Sequence, residues 1–303
     1  MVRGLEVELD RMITGRLRCN EPMRRHTSVR IGGPARYFVE PATVTDIRTV
    51  RRVAAEWRVP CRVIGKGSNI LVPDSGIPGI VISLGSLMSR VEWLNETDVY
   101  VEAGLSLPRL AKLAADRGLA GIEFASGIPG TVGGGVVMNA GAHGGEMADV
   151  VRRVHAIDSS GELRVFERDE LAFAYRRSRF SKNDEYIVVG AELSFTPEDP
   201  RVIRERMKEF ARQRRTTQPL GRPSSGSVFK NPPGDYAGRL IQAAGLKGAR
   251  IGQAQVSPVH ANFIVNCGGA TADDVMRLID HVRNRVLQMF GVELQLEVEI
   301  IGM

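Results

Sequence analysis

Two glycine-rich segments carry residues whose types and spacing could bind a phosphorylated ligand. The first is Gly65-Lys-Gly-Ser-Asn-Ile-Leu71, which directly follows a predicted strand. Gly65 and Gly67 would let backbone N–H groups approach a ligand, and Ser68 and Asn69 add short polar groups, as in loops that hold a pyrophosphate. The spacing is neither that of a Walker A loop nor that of the Rossmann fingerprint. A tight turn explains the same residues equally well.

The second segment is Ser126-Gly-Ile-Pro-Gly-Thr-Val-Gly-Gly-Gly135, followed by Met138-Asn-Ala-Gly-Ala142. These small residues cannot fill a core, and glycine gives up more conformational freedom on folding than any other residue. We therefore predict a flat stretch of backbone laid against an extended ligand, in preference to a buried glycine-rich crossover. A third piece, His26-Thr-Ser-Val-Arg-Ile-Gly-Gly-Pro34, indicates by itself only a turn.

Strands and helices must position these segments, and the hydrophobic spacing predicts both. The predicted strands are residues 36–40, 61–65, 80–84, 99–102, 150–157, 163–166, 186–195, 262–266 and 292–301. The predicted helices follow Thr43, run from Ser106 to Gly118, cover 201–215, and run from a cap at Thr271 and Asp274 to Gly291. Strands and helices mix throughout, so the class is α+β. Residues 216–234 could be a linker, although they contain an ordered-looking run at 225–232.

Composition narrows the classes of ligand. The chain has 303 residues, of which 43% are hydrophobic, and a length that suggests two domains. Its net charge of +6 comes mostly from arginine, since only six of the 41 basic residues are lysine. The arginines form short clusters separated by acids, with no basic tail and no interleaved aromatic stripe. A small anionic ligand is therefore favoured over a nucleic acid, because arginine binds phosphate and carboxylate in a bidentate manner.

Other features argue against a metal, a disulfide or a membrane. Cys19, Cys61 and Cys267 are far apart and form no CxxC motif. The N-terminus has no apolar signal region. Residues 124–143 carry no Lys, Arg, Asp or Glu, but Pro129 and the glycines interrupt them, which is not how a membrane helix is built. We expect a soluble, cytoplasmic protein that holds no metal and binds neither membrane nor nucleic acid.

Taken together, the three glycine-containing pieces resemble the FAD-binding half of flavoproteins of the vanillyl-alcohol-oxidase type. Further runs, in family order across nearly the whole chain, resemble the UDP-N-acetylenolpyruvoylglucosamine reductase family. They are Ala174-Tyr-Arg-Arg-Ser-Arg-Phe180, Ser225-Gly-Ser-Val-Phe-Lys-Asn-Pro232, residues 237–248, His260-Ala-Asn-Phe-Ile-Val-Asn266 and Leu296-Glu-Val-Glu-Ile-Ile-Gly302.

The resemblance implies a reaction and a domain plan. Non-covalent FAD would take hydride from NADPH and pass it to the enolpyruvyl ether of UDP-N-acetylglucosamine. The product would be a peptidoglycan precursor, which links the chain to cell-wall synthesis, cell shape and cell division. The protein would be a monomer with two α+β lobes that clamp FAD and a smaller α+β substrate domain. The implied boundaries are 1–73 for the first lobe, joined by a final strand at 292–303, then 74–200 for the second lobe and 201–291 for the substrate domain.

The resemblance also assigns residues. Arg176 would hold the enolate and carboxylate, Ser227 would donate the proton, and Glu297 would pair with the arginine at the carboxylate end. The implied cofactor residues are Gly65, Lys66, Gly67, Ser68, Asn69, Ile70, Leu71, Gly127, Ile128, Pro129, Gly130, Thr131, Gly133, Gly134, Asn139, Ala140 and Gly141. The implied substrate contacts are Tyr175, Arg214, Arg215, Gln218, Lys230 and Asn231.

Two departures from the family pattern stand out. Some members close a tyrosine-bearing loop over the substrate, but the only tyrosine between Phe180 and Ser227 is Tyr186, in a strand pattern, so the chain resembles the shorter subgroup. Glu299 stands where many members have arginine. Two other functions stay open: a flavoprotein oxidase of the same fold that acts on a sugar lactone or an alcohol, and a basic nucleic-acid-binding protein.

Overall fold

The computed structural model describes residues 2–181 and 185–302. They fall into two compact units, each assembled from three stretches of the chain. The first unit comprises residues 1–19, 37–66 and 79–212, and the second comprises 20–36, 67–78 and 213–303. Neither unit is continuous in sequence, because the chain returns to each of them.

Helices of very different length serve the two units. They are α1 (Val2–Met12), α2 (Val44–Glu56), α3 (Leu107–Asp116), α4 (Val132–Met138), α5 (Met147–Val150), α6 (Pro200–Thr217), α7 (Ala237–Ala243) and α8 (Ala272–Phe290). Over the described residues, no helix combines the length and apolar character needed to cross a bilayer.

The strands form sheets of two to five members. The four-stranded sheet β1-β2-β5-β3 joins Arg16–Pro22, Pro34–Glu40, Ile77–Ser83 and Cys61–Ile64. The five-stranded sheet β12-β11-β13-β7-β6 joins Leu163–Glu167, Val151–Ile157, Ile187–Ser194, Asp98–Glu102 and Val91–Trp93. The sheet β15-β18-β17-β16 joins Ser224–Ser227, Phe263–Asn266, Ala254–Val256 and Arg250–Ile251. Short pairs join β4 (Ile70–Leu71) with β19 (Glu299–Ile300), β8 (Leu119–Ala120) with β14 (Thr196–Pro197), and β9 (Gly141–Ala142) with β10 (Gly145–Glu146).

Helix α2 shows how sequence spacing builds the core of the first unit. Ile47, Val50 and Val53 recur at helical spacing and are completely buried. The Thr43 hydroxyl accepts a hydrogen bond from the Asp46 backbone N–H at 3.1 Å, which confirms the predicted N-cap. In the same unit, β13 lies at the centre of the five-stranded sheet and is buried along most of its length.

Helix α8 plays the corresponding part in the second unit. The predicted capping box is present, because the Thr271 hydroxyl accepts from the Asp274 N–H and the Asp274 carboxylate accepts from the Thr271 N–H. Gly291 ends the helix in the left-handed conformation, with φ of +68°. Val275, Leu278, Ile279, Val282 and Val286 are buried and face the core of this unit.

The predicted strand at 292–301 is wrong over most of its length, because only Glu299–Ile300 pairs as a strand. The segment divides its hydrogen bonds between two partners. The N–H of Glu297 donates to the carbonyl of Val228 at 2.8 Å, whereas the N–H of Glu299 donates to the carbonyl of Asn69 at 2.9 Å. Because the hydrogen-bond partner changes within the segment, the backbone does not form one continuous strand. The alternation of apolar and polar residues therefore predicted a longer strand than the structure has. Residues 216–234, which could have been a linker, include the end of α6 and all of β15.

Asp46 makes the stability of the first unit sensitive to acid. Its buried carboxylate accepts hydrogen bonds from the backbone N–H groups of Thr14, Gly15 and Ala42 at 2.9, 3.0 and 2.8 Å. Burial would raise the pKa of this carboxyl, but the hydrogen bonds outweigh it and hold the pKa below its usual value. A lowered folded-state pKa stabilises the protein above the unfolded-state pKa, and the contribution is lost as the pH falls through the folded-state pKa.

We therefore expect Asp46→Asn to lower the free energy of unfolding by about 2 kcal/mol at neutral pH, in the range of hydrogen bonds to a charged group. The variant should lose less stability than the parent when the pH is lowered below about 4, the usual range of an unfolded-state aspartate. Urea unfolding across this pH range measures both effects. The exposed Asp280, changed to Asn, is the control. An unchanged pH dependence in Asp46→Asn would contradict the expectation.

Candidate functional site

The first glycine-rich loop meets the second inside the first unit. Gly65 follows β3, and a Cβ at this position would lie 2.5 Å from Oγ1 of Thr131. Any side chain at 65 would therefore push the two loops apart. The structure thus brings together two segments that the sequence singled out separately, which a tight turn alone does not explain.

The rest of the first loop belongs to the second unit, where it packs against the third sequence piece. Gly67 has φ of +62°, and a Cβ there would lie 1.9 Å from the carbonyl oxygen of His26. The Ser28 N–H donates to the carbonyl of Gly67 at 3.0 Å. The run from His26 to Pro34 is therefore more than an isolated turn, since its backbone fixes the conformation of Gly67. Ile70 and Leu71 form β4 and are buried.

The second glycine-rich segment is not the flat backbone surface predicted from the sequence. Residues Val132–Met138 form α4, whose first turn is capped by the Thr131 hydroxyl, an acceptor for the Gly134 N–H at 3.3 Å. Asn139 ends the helix in the left-handed conformation, with φ of +42°. A threonine cap and a left-handed asparagine are recognisable signals for a short helix, but three successive glycines masked them, because glycine disfavours helix.

The glycines of α4 have two different reasons to be glycine. A Cβ at Gly133 would lie 2.8 Å from the Cβ of Ala103, and one at Gly135 would lie 3.2 Å from Cδ1 of Leu107. These two positions are close helix packing, so the buried-crossover explanation holds for them. Gly134 is exposed, and its nearest neighbour would be Thr131 Oγ1 at an ordinary 3.6 Å. No neighbour among residues 2–181 and 185–302 requires glycine at 134, which fits a surface that an extended ligand approaches closely.

The predicted cofactor residues differ in accessibility. At least partly exposed are Gly65, Lys66, Ser68, Asn69, Gly127, Ile128, Pro129, Gly130, Gly134, Ala140 and Gly141. Buried are Gly67, Ile70, Leu71, Thr131, Gly133 and Asn139. The partly exposed set is mainly backbone and short polar groups, the donor set expected for a pyrophosphate. The buried residues support the conformation of the loops. Direct cofactor contact at each of these positions stays a prediction.

Ser227 and Glu297 come together in the second unit. Ser227 ends β15 and lies opposite Phe263 of β18. The next residue, Val228, accepts at its carbonyl the N–H of Glu297 at 2.8 Å. The Asn69 side-chain amide donates to the carbonyl of Glu297 at 2.9 Å, so the first glycine-rich loop also fixes this segment.

Asn262 supports the backbone beside Ser227. Its side-chain oxygen accepts from the Phe229 N–H at 3.0 Å, and its side-chain nitrogen donates to the Phe229 carbonyl at 2.8 Å. Its own carbonyl accepts from the Val228 N–H at 2.8 Å. In the sequence, Asn262 stands out only as a member of the run His260–Asn266. Its buried amide is the signal that reveals it as a clamp on the strand that carries Ser227.

His260, beside Asn262, behaves as a core histidine. Burial, and then the nearby positive charge of Lys247, lower the pKa of its imidazole. Its Nδ1 accepts the Asn262 N–H at 3.2 Å, which requires that nitrogen to be unprotonated. The histidine is thereby committed to a structural hydrogen bond.

Arg176 belongs to the first unit and occupies an unusual backbone conformation. It lies in a two-residue turn between Ala174 and Arg177, with φ of +53°. Its guanidinium donates to the carbonyl of Gly141 at 3.0 Å and lies 5.1 Å from the ring centre of Tyr175. Tyr175 is half exposed. A cation on this turn can bind a carboxylate and stabilise an enolate.

A cavity of about 320 Å³ in the second unit is lined by two of the predicted substrate residues, Arg215 and Gln218. The remaining lining comes from residues 219–222 and 257–259. Arg214, next to Arg215, is half-buried, and burial alone lowers the pKa of its guanidinium, with no carboxylate contributing to the shift. Arginine stays cationic at neutral pH, so this end of α6 is suited to an anion.

Lys230 and Asn231 are not among the residues that line that cavity. The Asn231 side chain accepts the N–H of Ala237 at 3.1 Å, at the start of α7. The Lys230 N–H donates to the carbonyl of Gln295 at 2.8 Å. Both residues therefore have structural hydrogen bonds, and their predicted substrate contacts stay untested.

Known proteins resemble the chain over nearly its whole length. A UDP-N-acetylenolpyruvoylglucosamine reductase from Symbiobacterium thermophilum is 50% identical over 95% of this chain and 93% of its own. The chain belongs to the UDP-N-acetylenolpyruvoylglucosamine reductase family. A UDP-N-acetylenolpyruvylglucosamine reductase from Thermus caldophilus has a crystal structure and is 37% identical to this chain. The two structures agree with a TM-score of 0.80 over 95% of this chain and 99% of that one.

Two family models match different parts of the chain. Residues 35–167 match the FAD binding domain, and residues 218–301 match the C-terminal domain of UDP-N-acetylenolpyruvoylglucosamine reductase. Both glycine-rich segments lie in the first match, and Ser227 and Glu297 lie in the second. Arg176 lies between the two matches.

The fold of the chain is also shared with a more distant solved structure. An alkyldihydroxyacetonephosphate synthase is 17% identical with a TM-score of 0.50, over 64% of this chain and 40% of that one, a likeness of fold alone. The fold is the α+β FAD-binding fold of the vanillyl-alcohol-oxidase type, as the resemblance in sequence implied. Tyr186 directly precedes β13, and its ring packs edge-on against Phe166 and Phe180, with centroids 5.1 and 6.1 Å apart.

Proposed function

We infer that the protein reduces the enolpyruvyl ether of UDP-N-acetylglucosamine to UDP-N-acetylmuramate, with FAD as its cofactor and NADPH as the hydride source. The observation that carries this function is the 50% identity to a named reductase over 95% of the chain. The product is a precursor for peptidoglycan synthesis. A part in cell shape and cell division follows from that product and is a proposal of ours.

The chemistry divides between the cofactor and the protein. When bound, FAD would supply the hydride transfer from NADPH to the methylene carbon of the enolpyruvyl group. The partly exposed residues Gly65, Lys66, Ser68, Asn69, 127–130 and Gly134 are the proposed cofactor contacts. They offer backbone N–H groups and short side chains without bulk, which suits a pyrophosphate and an extended ring system.

Arg176 is the proposed partner of the substrate carboxylate. Hydride addition to the methylene carbon leaves negative charge on the neighbouring carbon and its carboxylate. A guanidinium fixed in place before the reaction stabilises that charge without reorganising. The bond from Arg176 to the Gly141 carbonyl supports this role, because it orients the guanidinium in advance.

Ser227 is the proposed proton donor, and Glu297 is the proposed partner at the carboxylate end. A hydride and a proton then add across the carbon–carbon double bond to give the lactyl ether. The bond between the Glu297 N–H and the Val228 carbonyl supports this pairing, because it places Glu297 beside the residue that follows Ser227. Glu299 pairs through its backbone with β4 and is exposed, whereas Glu297 is partly buried, which supports the choice of Glu297.

The substrate contacts are proposed in two groups. The cavity with Arg215 and Gln218, together with Arg214, supports binding of the diphosphate or the uridine. Tyr175 is proposed to contact the pyruvyl group, and Lys230 and Asn231 are proposed diphosphate contacts. The chain is proposed to act as a cytoplasmic monomer, and the three-lobe boundaries at 73, 200 and 291 stay a prediction beside the two compact units.

Anaerobic stopped-flow absorbance tests the function. We expect NADPH to bleach the visible flavin band, and the enolpyruvyl ether of UDP-N-acetylglucosamine to restore it with formation of UDP-N-acetylmuramate. UDP-N-acetylglucosamine without the enolpyruvyl group is the control and should restore nothing. If oxygen restores the colour rapidly and the enolpyruvyl ether does not, the protein is an oxidase of the same fold.

A further inference from the structure

The turn that carries Arg176 is held in a conformation that arginine disfavours. The Ala174 N–H donates to the Arg177 carbonyl at 2.9 Å, and the Arg177 N–H donates back to the Ala174 carbonyl at 3.0 Å. Between them Arg176 has φ of +53°. A non-glycine residue in this region costs roughly 1–3 kcal/mol and persists only where the surroundings determine it. Other groups must therefore hold the turn.

Asn139 holds the N-terminal side of this turn. Its side-chain nitrogen donates to the Ala174 carbonyl at 3.0 Å, and its side-chain oxygen accepts from the Ala148 N–H at 2.9 Å. Asn139 has no exposed surface, so its side-chain amide makes its hydrogen bonds within the protein. This arrangement favours a role through the turn over the direct cofactor contact predicted for Asn139.

Ser178 holds the C-terminal side of the turn. Its hydroxyl donates to the Val137 carbonyl at 2.8 Å, and the residue is 2% exposed. Val137 and Asn139 both lie at the end of α4, so a single short stretch of backbone anchors the turn on both sides. The Arg176 guanidinium makes a third attachment, to the Gly141 carbonyl just beyond that stretch.

We propose that Asn139 and Ser178 are positioning residues that fix the Arg176 turn, and with it the guanidinium, relative to the glycine-rich segment. This inference rests on the role proposed for Arg176 in the reduction. Both residues act through Arg176, and neither touches substrate. A displacement of about 1 Å in a catalytic group can cost about a hundredfold in rate, so even a modest relaxation of the turn has a measurable effect.

Two variants separate positioning from folding. Asn139→Asp keeps an oxygen acceptor for the Ala148 N–H and tolerates the left-handed conformation, while it removes the amide donor to Ala174. Ser178→Ala removes the second anchor, and the Val137 carbonyl keeps a donor because the Ser181 hydroxyl also bonds it at 2.5 Å. FAD content and thermal unfolding report whether each variant is folded.

The experiment is a double-mutant cycle on the two half-reactions. Asn139→Asp and Ser178→Ala should each slow flavin reoxidation by the enolpyruvyl ether about tenfold to a hundredfold, with reduction by NADPH changed less than about twofold. In an Arg176→Ala background the same changes should alter reoxidation less than about twofold, because the group that they position is gone.

A matched control is Asn266→Asp. Asn266 is also buried, donating to the Val29 carbonyl and accepting from the Gly268 and Ala270 N–H groups in the second unit. Any effect of this control should be equal in both backgrounds. Equal effects of the Asn139 and Ser178 variants in both backgrounds would overturn the inference alone. Normal reoxidation in Arg176→Ala would overturn the role of Arg176 itself, and the inference with it.

Discussion

Ser227→Ala is expected to leave reduction of the flavin by NADPH unchanged and to slow its reoxidation by the enolpyruvyl ether by about 10²–10⁴-fold, the usual contribution of a general acid. The reason is chemical. Hydride addition leaves a carbanion-like carbon that must take up a proton, and the first half-reaction has no such step. Single-mixing stopped-flow absorbance of each half-reaction measures the two rates separately.

The structure makes this substitution a clean test. Ser227 is half-buried at the end of β15, and the backbone around it is fixed by bonds that its hydroxyl does not make. Asn262 clamps Phe229, and Val228 binds both Asn262 and Glu297 through its backbone. Removal of one oxygen atom should therefore leave the scaffold in place.

Ser224→Ala is the matched control for Ser227→Ala. Ser224 lies on the same strand, pairs with Val265 of β18, and has no proposed chemical role. We expect both half-reactions to be normal in this variant. Equal slowing of both half-reactions by Ser227→Ala would mean that Ser227 serves the fold or the cofactor, and the proton donor would have to be sought elsewhere.

Local signals in the sequence were enough to predict some of the regular elements, but not α1, α4, α5 or α7. The cap at Thr43 predicted the start of α2, and the cap at Thr271 with the stop at Gly291 predicted both ends of α8, to within a residue or two. These features act over one or two helical turns, where chemistry and periodicity are both visible in the sequence.

Contacts between distant segments were not predictable in the same way. The Gly65–Thr131 approach, the bond from Asn139 to Ala174 and the bond from Asn69 to Glu297 each join residues far apart in sequence. No periodicity encodes such pairs. The same limit explains the final strand, since its alternation is real but its hydrogen bonds divide between Val228 and Asn69.

The site was predicted mainly through resemblance to a family, and the structure adds the reason for particular residues. A motif shows that Arg176 and Ser178 occur together, whereas the hydrogen bonds show that Ser178 anchors the turn on which Arg176 lies. In the same way, a run of glycines in the sequence does not say which glycine serves packing and which serves a ligand.

Neighbouring glycines of α4 allow that question to be tested. Gly134→Ala is expected to weaken FAD binding by about tenfold to a hundredfold, equivalent to an overpacking cost of about 1–3 kcal/mol against the cofactor. Without FAD, the same variant should be as stable as the parent or more stable by up to about 1 kcal/mol, because alanine is the better helix former. Fluorescence titration of the FAD-free protein and its urea unfolding give the two quantities.

Gly133→Ala is the matched comparison, since it adds the same methyl group one residue earlier. Its Cβ would lie 2.8 Å from the Cβ of Ala103, whereas that of Gly134 has no neighbour nearer than 3.6 Å. Gly133→Ala should therefore destabilise the FAD-free protein by about 1–3 kcal/mol. If Gly134→Ala bound FAD as the parent does, the exposed face of α4 would not be a cofactor surface. The proposed cofactor contacts would then exclude Gly134.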